Sequence, residues 1–363
     1  GNPPFLGNKQ MNDVLGAGYV DAIKGAFPNV NGSADLVMWW WWRAADLASK
    51  AKLKRFGLIT TNSVTQTFDR EVVADAIEKK GLHLAYAIPD HPWYDEGAAV
   101  RIAMTVATAE KGAAVLGHIA DESRTRVADL EHVRVDERVV SEIHADITAG
   151  AKVSGATPLK ANSMICYQGM NLVGDGFRVT RDELAVMGYD ANDLPAVVRP
   201  YLMGRDIVQH REERFVIDFY DTDPDDSRKK HGKLWNRVVR LVKPERELNN
   251  RDSRRKNWWL FGEPVGKLRT AINGTKRYIA TCRTAVHRLF VFVGAETIPD
   301  TKVVVIASES AIVLGVLSSR VHQVWADRTK AMLEDRPTYN HTESFTPFPF
   351  PDASKPQSAK IAK

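Results

Sequence analysis

The 363-residue chain has few cysteines and no long apolar run. Its two cysteines, Cys166 and Cys282, lie far apart without the spacing of a metal site, so we predict two reduced thiols in a cytoplasmic protein. No run of 18 apolar residues occurs, which predicts no membrane span, and no signal-peptide pattern is present. The hydrophobic content of 44% and the charged content of 26% are typical of a soluble globular protein.

The net positive charge of the chain is concentrated in one segment. Between Arg228 and Arg288 there are 18 Lys and Arg residues against four acids, a local charge of +14. Because the whole chain carries +5, the remainder stands at −9. A basic segment in an otherwise acidic protein is typical of nucleic-acid binding, whereas a merely solvated surface usually mixes both signs.

The residues Asn2-Pro3-Pro4-Phe5 form a motif suited to methylating the exocyclic amine of a nucleobase. That amine is a weak nucleophile because its lone pair is delocalised into the ring. An Asn side-chain oxygen and a Pro carbonyl can both accept hydrogen bonds from it and stabilise the charge that develops. The prolines fix φ and add no competing N–H, and Phe5 offers a flipped base a stacking surface. Asn-Pro also marks ordinary turns, and the motif alone leaves a cytosine amine or an RNA target open.

Helix and strand patterns alternate over the first 120 residues. They predict an apolar helix at 34–50 and an amphipathic helix at 68–80 that ends at Gly81. Predicted strands cover 57–63, 82–88, 98–107 and 113–119, with a loop at 89–94. This alternation predicts a mainly parallel α/β sheet with a closing antiparallel hairpin.

Two further patterns have a structural interpretation. The four tryptophans at 39–42 are predicted to be mainly core. Residues 15–20 imitate a glycine-rich cofactor loop, but a polar stretch precedes them, so a helix interrupted by glycines is the better prediction. Beyond about residue 150 short β-like stretches dominate, one helix is predicted at 311–331, and we place a domain boundary near 150–165.

Taken together, the motifs resemble the adenine-specific DNA methyltransferases of the fused restriction-modification type, the MmeI-like group. The resemblance runs from Gly1 to about Pro351 and begins with the tetrapeptide. The other matching motifs follow in the family's order: Ala34 to Leu36, Ile59 to Ser63, His91 to Trp93, Gly97 to Arg101, Tyr167 to Met170, Arg199 to Leu202, Arg214 to Asp218, Asn257 to Pro264, Arg277 to Thr281, Leu317 to His322 and Phe348 to Pro351.

The resemblance implies the C-terminal part of a Rossmann-like methyltransferase sheet at 1–150, a mixed α+β target-recognition domain at 151–351 and a flexible tail at 352–363. It implies S-adenosylmethionine as cofactor and double-stranded DNA as partner, clamped between the two domains with the target adenine flipped out. Asp35 and Leu36 would lie beside the cofactor. Trp93 would stack on the base together with Phe5, with Tyr94 as the alternative.

Family members carry a glycine-rich donor loop, and usually a nuclease, before the catalytic motif. We therefore expect an N-terminal methyltransferase or nuclease portion to be missing. We also expect the chain by itself to bind the methyl donor weakly and to turn over little.

Two groups of basic residues are candidates for DNA contacts, although any one of them can equally be a solvated surface charge. Because Arg pairs bidentately with guanine, the first group is predicted to contact base edges: Arg277, Arg283, His287 and Arg288. A dense cluster positions the duplex without discriminating, so the second group is predicted to hold phosphates: Arg251, Arg254, Arg255 and Lys256.

Two other hypotheses stay open. A magnesium-dependent nuclease would need an acidic cluster, and the candidates are Asp218, Asp221, Asp223, Asp225 and Asp226. Crowded acids beside Thr, Pro and Ser are more commonly turn and cap residues, so we predict no metal site. A non-catalytic, sequence-specific DNA-binding module would bind DNA with a steep salt dependence and would not bind the methyl donor.

Overall fold

The computed structural model describes residues 1–95, 98–120, 133–150, 152–153, 156–190, 193–209, 212–329, 331–333, 336–354, 356–357 and 360. The chain divides into two compact units, Gly1–Gly155 and Ala156–Lys363. Among the described residues, no helix combines the length and the apolar character needed to cross a membrane.

The first unit is built on a five-stranded sheet with the strand order β1-β3-β2-β4-β5. The strands are β1 Arg55–Thr61, β2 His83–Asp95, β3 Ala98–Thr108, β4 Ala114–Ile119 and β5 Val135–Val140. β3 is antiparallel to both β1 and β2, β4 is parallel to β2, and β5 is antiparallel to β4. β1, β2 and β4 therefore run in the same direction, as the α/β alternation predicts.

The predicted closing hairpin is present, but it changes the order of the strands in the sheet. β3 returns from β2 and lies between β2 and β1, so only β2 and β4 pair in parallel among the described strands of this sheet. The expectation of a mainly parallel sheet is thus wrong for the pairing of neighbours. The predicted loop at 89–94 is also wrong, because β2 continues to Asp95. The register shifts between Ile88 and His91, where Pro89 has no N–H for the ladder and a bulge absorbs the irregularity.

Four helices accompany this sheet: α1 Asn8–Leu15, α2 Ala17–Ala26, α3 Val37–Ser49 and α4 Thr67–Glu78. The predicted glycine-interrupted helix is confirmed, since α1 ends and α2 begins at Gly16. Gly16 has a φ of 82°, a conformation that favours glycine. Residues 15–20 are therefore a break between two helices and do not form a strand–loop–helix cofactor motif.

The tryptophan run lies on α3 and is mainly core, as predicted. Trp39 and Trp41 are buried, and the indole N–H of Trp41 donates to Oγ1 of Thr105 at 3.2 Å. Trp40 is the exception, with 42% of its surface exposed. The helix is thus fixed against β3 by one buried hydrogen bond as well as by apolar packing.

The second unit contains two four-stranded sheets, which agrees with the predicted mixed α+β class. The first has the order β11-β10-β13-β6, from β6 Cys166–Gln168, β10 Arg277–Cys282, β11 Val291–Gly294 and β13 Val303–Ile306. The second has the order β12-β8-β9-β7, from β7 Arg178–Val179, β8 Val198–Leu202, β9 Phe215–Ile217 and β12 Ile298–Pro299. A hairpin follows, from β14 Ala331–Leu333 and β15 Arg336–Thr338.

Short helices form most of the basic segment, which the fading helical periodicity did not predict. The helices of the second unit are α5 Arg181–Val186, α6 Arg205–Val208, α7 Pro224–Lys230, α8 Gly232–Leu241, α9 Lys243–Glu247, α10 Asp252–Lys256, α11 Gly266–Ile272, α12 Ala311–Leu317 and α13 Arg320–Thr329. The single helix predicted at 311–331 is two helices. The second begins after Ser319, whose side chain accepts a hydrogen bond from the N–H of His322 at 3.3 Å, and such caps mark helix starts.

Arg246 on α9 is a structural arginine inside the second unit. It is fully buried, and it donates to the carbonyl oxygens of Val173 at 2.7 Å, Leu172 at 2.7 Å and Leu260 at 3.1 Å. Burial, and then the nearby charge of Arg254, lower the pKa of Arg246. One planar guanidinium thus satisfies three carbonyls from two separate loops, a geometry that an ammonium group cannot reproduce.

We therefore predict that Arg246→Lys destabilises the second unit by about 2–3 kcal/mol, because the partly buried carbonyls of Val173 and Leu260 lose their guanidinium donor. Hydrogen-exchange mass spectrometry of peptides around residues 170–175 during urea unfolding measures this unit by itself. Arg240→Lys, at an exposed position of α8, is the matched control and should stay within about 0.5 kcal/mol. Equal effects of the two substitutions would contradict the structural role of Arg246.

Candidate active site and nucleic-acid interface

The Asn2–Phe5 segment begins at the edge of the first sheet. The amino group of Gly1 donates to the carbonyl of Gly57 at 2.7 Å, and the carbonyl of Gly1 accepts from the N–H of Ile59 at 2.9 Å. These two bonds follow the pattern of a parallel ladder. Gly1 therefore lies along the edge of β1 that β3 leaves free, and the tetrapeptide continues towards the C-terminal end of β1.

The residues of the tetrapeptide differ in exposure. Asn2 and Pro4 are exposed, whereas Pro3 and Phe5 are half-buried. The backbone has no regular secondary structure here, so its position depends on what holds it at either end.

The far end is fastened to the start of α3. The carbonyl of Leu6 accepts from the N–H of Leu36 at 2.9 Å. The N–H of Asn8 donates to Oδ1 of Asp35 at 3.0 Å. The residues that the sequence places beside a cofactor are thus also those that anchor the tetrapeptide.

Asp35 is held in turn by two other elements. Its Oδ2 accepts from the hydroxyl of Ser63 at 2.8 Å, just after β1, and its N–H donates to Oδ1 of Asp69 at 2.8 Å, in the first turn of α4. Asp69 is buried. Burial, and then the charge of Asp35, raise the pKa of Asp69 to about 7. Asp69 therefore carries a proton for a large fraction of the time near neutral pH, unlike an ordinary aspartate.

The two predicted cofactor residues differ in what they can still bind. Each carboxylate oxygen of Asp35 accepts one bond from Asn8 or Ser63, which leaves capacity for a ligand hydroxyl or amine. Leu36 is buried, and its N–H and C=O are both used within the chain. The residues fit a bound S-adenosylmethionine through Asp35, and the predicted role of Leu36 has no free polar group to support it.

The predicted base-stacking residues lie on different segments. Trp93 is half-buried on β2, paired with Val100 of β3. Within the described residues, no ring contact joins Phe5 and Trp93. A base held between the two rings would need them to lie about 7 Å apart, so a stacking pair does not require such a contact. The backbone of Tyr94 pairs with Ala99, but its side chain lies outside what the structure describes, as does Gly97. The stacking pair stays a prediction.

Most of the predicted phosphate cluster is already paired. Oε1 of Glu263 accepts from Arg251 at 3.3 Å and from Arg254 at 2.9 Å. Arg255 bonds the carboxylate of Asp252 and, at 2.6 Å, the carbonyl of Asn249. Lys256 is exposed and forms no ion pair with the described residues. Of the four cations, Lys256 is therefore the one most readily available to a phosphate.

Arg288, a predicted base-edge residue, is engaged inside the second unit. Its guanidinium donates to the carbonyl of Cys282, and more weakly to that of Pro337 at 3.3 Å. It also lies 5.2 Å from the ring centroid of Tyr339. Burial lowers the pKa of Arg288. With its neighbour His287 it lines a cleft of about 320 Å³, but its donors are largely used by the protein itself.

The other predicted base-edge residues differ from Arg288. Arg277 stacks its guanidinium 3.6 Å from the ring centroid of Phe292 and donates to the carbonyl of Glu309 at 3.1 Å. Arg283 and His287 are exposed. Arg277 is exposed as well, but its guanidinium is already engaged by Phe292 and Glu309.

The acidic residues after β9 do not form a metal cluster. Asp218 is buried and pairs with Arg269 through bonds of 2.7 and 3.1 Å. Asp223 caps α7, accepting from the N–H groups of Asp225 at 2.9 Å and Asp226 at 3.2 Å. Among the described residues, no group of three or more His, Cys, Asp or Glu could hold a metal ion. The cap interpretation is confirmed for Asp223, and Asp218 is engaged in an ion pair with Arg269.

Asp69 is the residue of this site that sequence reasoning missed. Its position carried a signal, because Asp69 shares one face of α4 with the buried Val72, Val73 and Ala76. An acid on the apolar face of a helix needs a partner, and Asp35 is that partner.

Comparisons with known proteins give matches over both units. Residues 1–114 match the model of the MmeI DNA-methyltransferase domain, and residues 154–352 match that of the MmeI target recognition domain. No curated protein matches the chain.

The chain aligns over nearly its whole length with several solved structures, two of which are a restriction-modification enzyme and a restriction endonuclease. The first, described as the type IIL restriction-modification enzyme MmeI in complex with DNA, has a TM-score of 0.79 and 17% identity. The second, the type IIG restriction endonuclease BpuSI, has a TM-score of 0.34 and 9% identity, too low to compare the folds. Each alignment covers 99% of this chain and 47% of the other, so the chain spans about half the length of these structures.

The first of these likenesses agrees with the methyltransferase fold. The two matched segments together take in most of the residues. The chain therefore belongs to the MmeI family and carries segments of its DNA-methyltransferase and target recognition domains.

Proposed function

We propose that this chain forms the base-holding and sequence-reading part of a restriction-modification enzyme that methylates N6 of a flipped adenine in duplex DNA. The observation that carries the proposal is the placement of Asn2–Phe5 at the end of β1, held at one end by the β1 ladder and at the other by Asp35. S-adenosylmethionine, when bound, supplies an activated methyl group.

Asn2 and Pro3 act on the adenine amine. The exposed Asn2 offers a side-chain oxygen, and the carbonyl of Pro3 is a second acceptor. Two acceptors on one NH2 group increase the electron density on nitrogen and stabilise the positive charge that develops there. Because Pro3 and Pro4 restrict φ, the two acceptors need little further ordering when the base arrives.

Phe5 and Trp93 hold the base once it has left the duplex. Flipping costs about a few kcal/mol of stacking and pairing. Stacking on an aromatic side chain returns about 1–3 kcal/mol per base, which offsets much of that cost. Both side chains are half-buried. Each ring is therefore partly held by the protein and partly exposed for stacking on a base.

The second unit is proposed to contact the duplex through its basic segment. Lys256, exposed and without an ion pair among the described residues, is suited to a phosphate. Arg283 and His287, both exposed, are the better candidates for base edges. Arg251, Arg254 and Arg255 would have to exchange their carboxylate partners for phosphates.

The alternative is a sequence-specific DNA-binding module that does not itself catalyse methyl transfer. The observation that favours it is that only Asp35, of the two predicted cofactor residues, has capacity for a polar ligand. This module would keep the salt-sensitive DNA binding of the basic segment.

We predict that Asn2→Ala lowers methyl transfer by about 10²–10³-fold in the natural polypeptide that carries this sequence, with DNA affinity unchanged. Transfer of a tritiated methyl group to duplex DNA measures the rate, and mass spectrometry of the nucleosides identifies the product as N6-methyladenine. Asn12→Ala, at an exposed position of α1, is the matched control and should behave as the unmodified protein.

Two results would overturn this assignment. A methylated cytosine as the sole product would show that the amine is not that of adenine. Salt-sensitive DNA binding with no methyl transfer by the unmodified protein would leave the DNA-binding module as the function.

Lys256→Ala and Arg283→Ala are predicted to impair DNA binding in different ways. Lys256→Ala should weaken binding to all duplexes and reduce the slope of log K against log salt by about 1. Arg283→Ala should relax preference at one base position, by about 1–3 kcal/mol. Fluorescence anisotropy at several salt concentrations tests Lys256→Ala. Sequencing of the duplexes retained from a randomised pool tests Arg283→Ala. Lys52→Ala, exposed and outside the basic segment, is the control. If both variants matched this control, the proposed interface would be wrong.

A further inference from the structure

We propose that Asp69 is a positioning residue for the Asn2–Phe5 segment: it shares a proton with Asp35 and so keeps Asp35 in the orientation that anchors the segment. The effect on turnover rests on the proposed function, whereas the effect on the segment does not. Asp69 lies outside the motifs that carry the family resemblance, and its side chain bonds Asp35.

The geometry joins the two acids at one buried corner. Asp69 is 5% exposed, and its Oδ1 accepts from the N–H of Asp35 at 2.8 Å. The Ser63 hydroxyl donates to Oδ2 of the half-buried Asp35 at 2.8 Å at the same corner. A buried carboxyl group next to a second carboxyl group ionises only at a large cost, so one proton between them is the stable arrangement.

The proton is held by Asp69. Its pKa is raised to about 7, first by burial and then by the charge of Asp35. Protonated Asp69 can donate to Asp35, whose carboxyl oxygens accept from the N–H of Asn8 and the hydroxyl of Ser63. The anchor of the tetrapeptide thus consists of Asp35 supported by a protonated Asp69.

Few other charged groups act at this corner. The segment before α3 contributes Asp35, and the turn after β1 contributes only the hydroxyl of Ser63. On α4 itself, Asp69 is followed by Arg70 and by Glu71, whose carboxylate accepts from the side chain of Asn31 at 3.0 Å. On β2, which also packs against α4, Tyr86 donates to Glu137 at 2.6 Å.

The direction of the pH effect follows from the raised pKa. Below about pH 4 the acid is protonated in both the folded and the unfolded chain. Between about pH 4 and 7 only the unfolded chain loses the proton, so the contribution of Asp69 to stability falls and then levels off. Above pH 7 the folded chain also ionises. The second negative charge then repels Asp35 and loosens its bond to Asn8.

Asp69→Asn removes the ionisable group but keeps the size of the side chain. The amide keeps an oxygen that can accept from the N–H of Asp35, and its NH2 group donates to the Asp35 carboxylate at every pH. Asp75→Asn, on the same helix in an ion pair with Lys79 at 2.8 Å, is the matched control. Asp69→Ala removes the support altogether.

Amide hydrogen exchange of the full 363-residue chain, corrected for intrinsic rates, tests the proposal without DNA or methyl donor. In the unmodified chain and in Asp75→Asn, protection of the amides of Asn8 and Leu36 should fall between about pH 4 and 7 and level off above pH 7. In Asp69→Asn the protection should persist to pH 9, and in Asp69→Ala it should be low throughout. Protection that does not change with pH in the unmodified chain, or that falls equally in Asp69→Asn, would overturn the proposal.

The pH profile of turnover in the natural polypeptide then separates the two claims. A decline of kcat above pH 7 that disappears in Asp69→Asn would support both the anchor and the proposed function. If exchange behaves as expected but kcat does not follow it, the anchor stands and the catalytic role of Asn2–Phe5 fails.

Discussion

A single residue, Asp35, joins three parts of the first unit that are far apart in sequence. It accepts from the backbone after the tetrapeptide and from Ser63 at the end of β1, while its own N–H donates to Asp69 on α4. The tetrapeptide has no secondary structure of its own, so the conformational entropy of an extended segment would otherwise oppose a fixed geometry. The β1 ladder and this carboxylate together provide that geometry from outside the segment.

Local patterns predicted the elements of the first unit better than their neighbours in the sheet. The apolar stripe of α4 and the strand character of β1 and β3 are properties of the local sequence. The insertion of β3 between β1 and β2 depends on contacts between distant residues, which periodicity does not encode. In the basic segment the dense charge obscured a helical pattern: Leu234, Trp235 and Val238 recur at helical spacing on α8 and are all buried.

In the candidate site, too, local sequence predicts some features and contacts between distant residues decide the others. The chemistry of Asn2 and Pro3 follows from residue types, and the tetrapeptide could be singled out without a structure. Whether an arginine is bonded within the protein could not be predicted from the sequence. Arg288 and Arg283 look alike there, yet Arg288 is engaged with the carbonyl of Cys282 and Arg283 is exposed. Whether a cation is free for DNA depends on which carbonyls and carboxylates the fold brings to it, and these come from distant segments.

The position of β3 also has a consequence for how the chain acquires its fold. β1 is complete at Thr61, but its partner β3 ends only at Thr108, so during synthesis the edge of β1 that faces β3 stays unpaired for nearly fifty further residues. Unpaired strand edges are sites of wrong association. The β2–β3 hairpin is made of nearby residues and so can form early. The order of assembly that this topology favours is a preformed hairpin docking onto β1, and the side of β1 bonded to Gly1 is the one that the hairpin leaves uncovered.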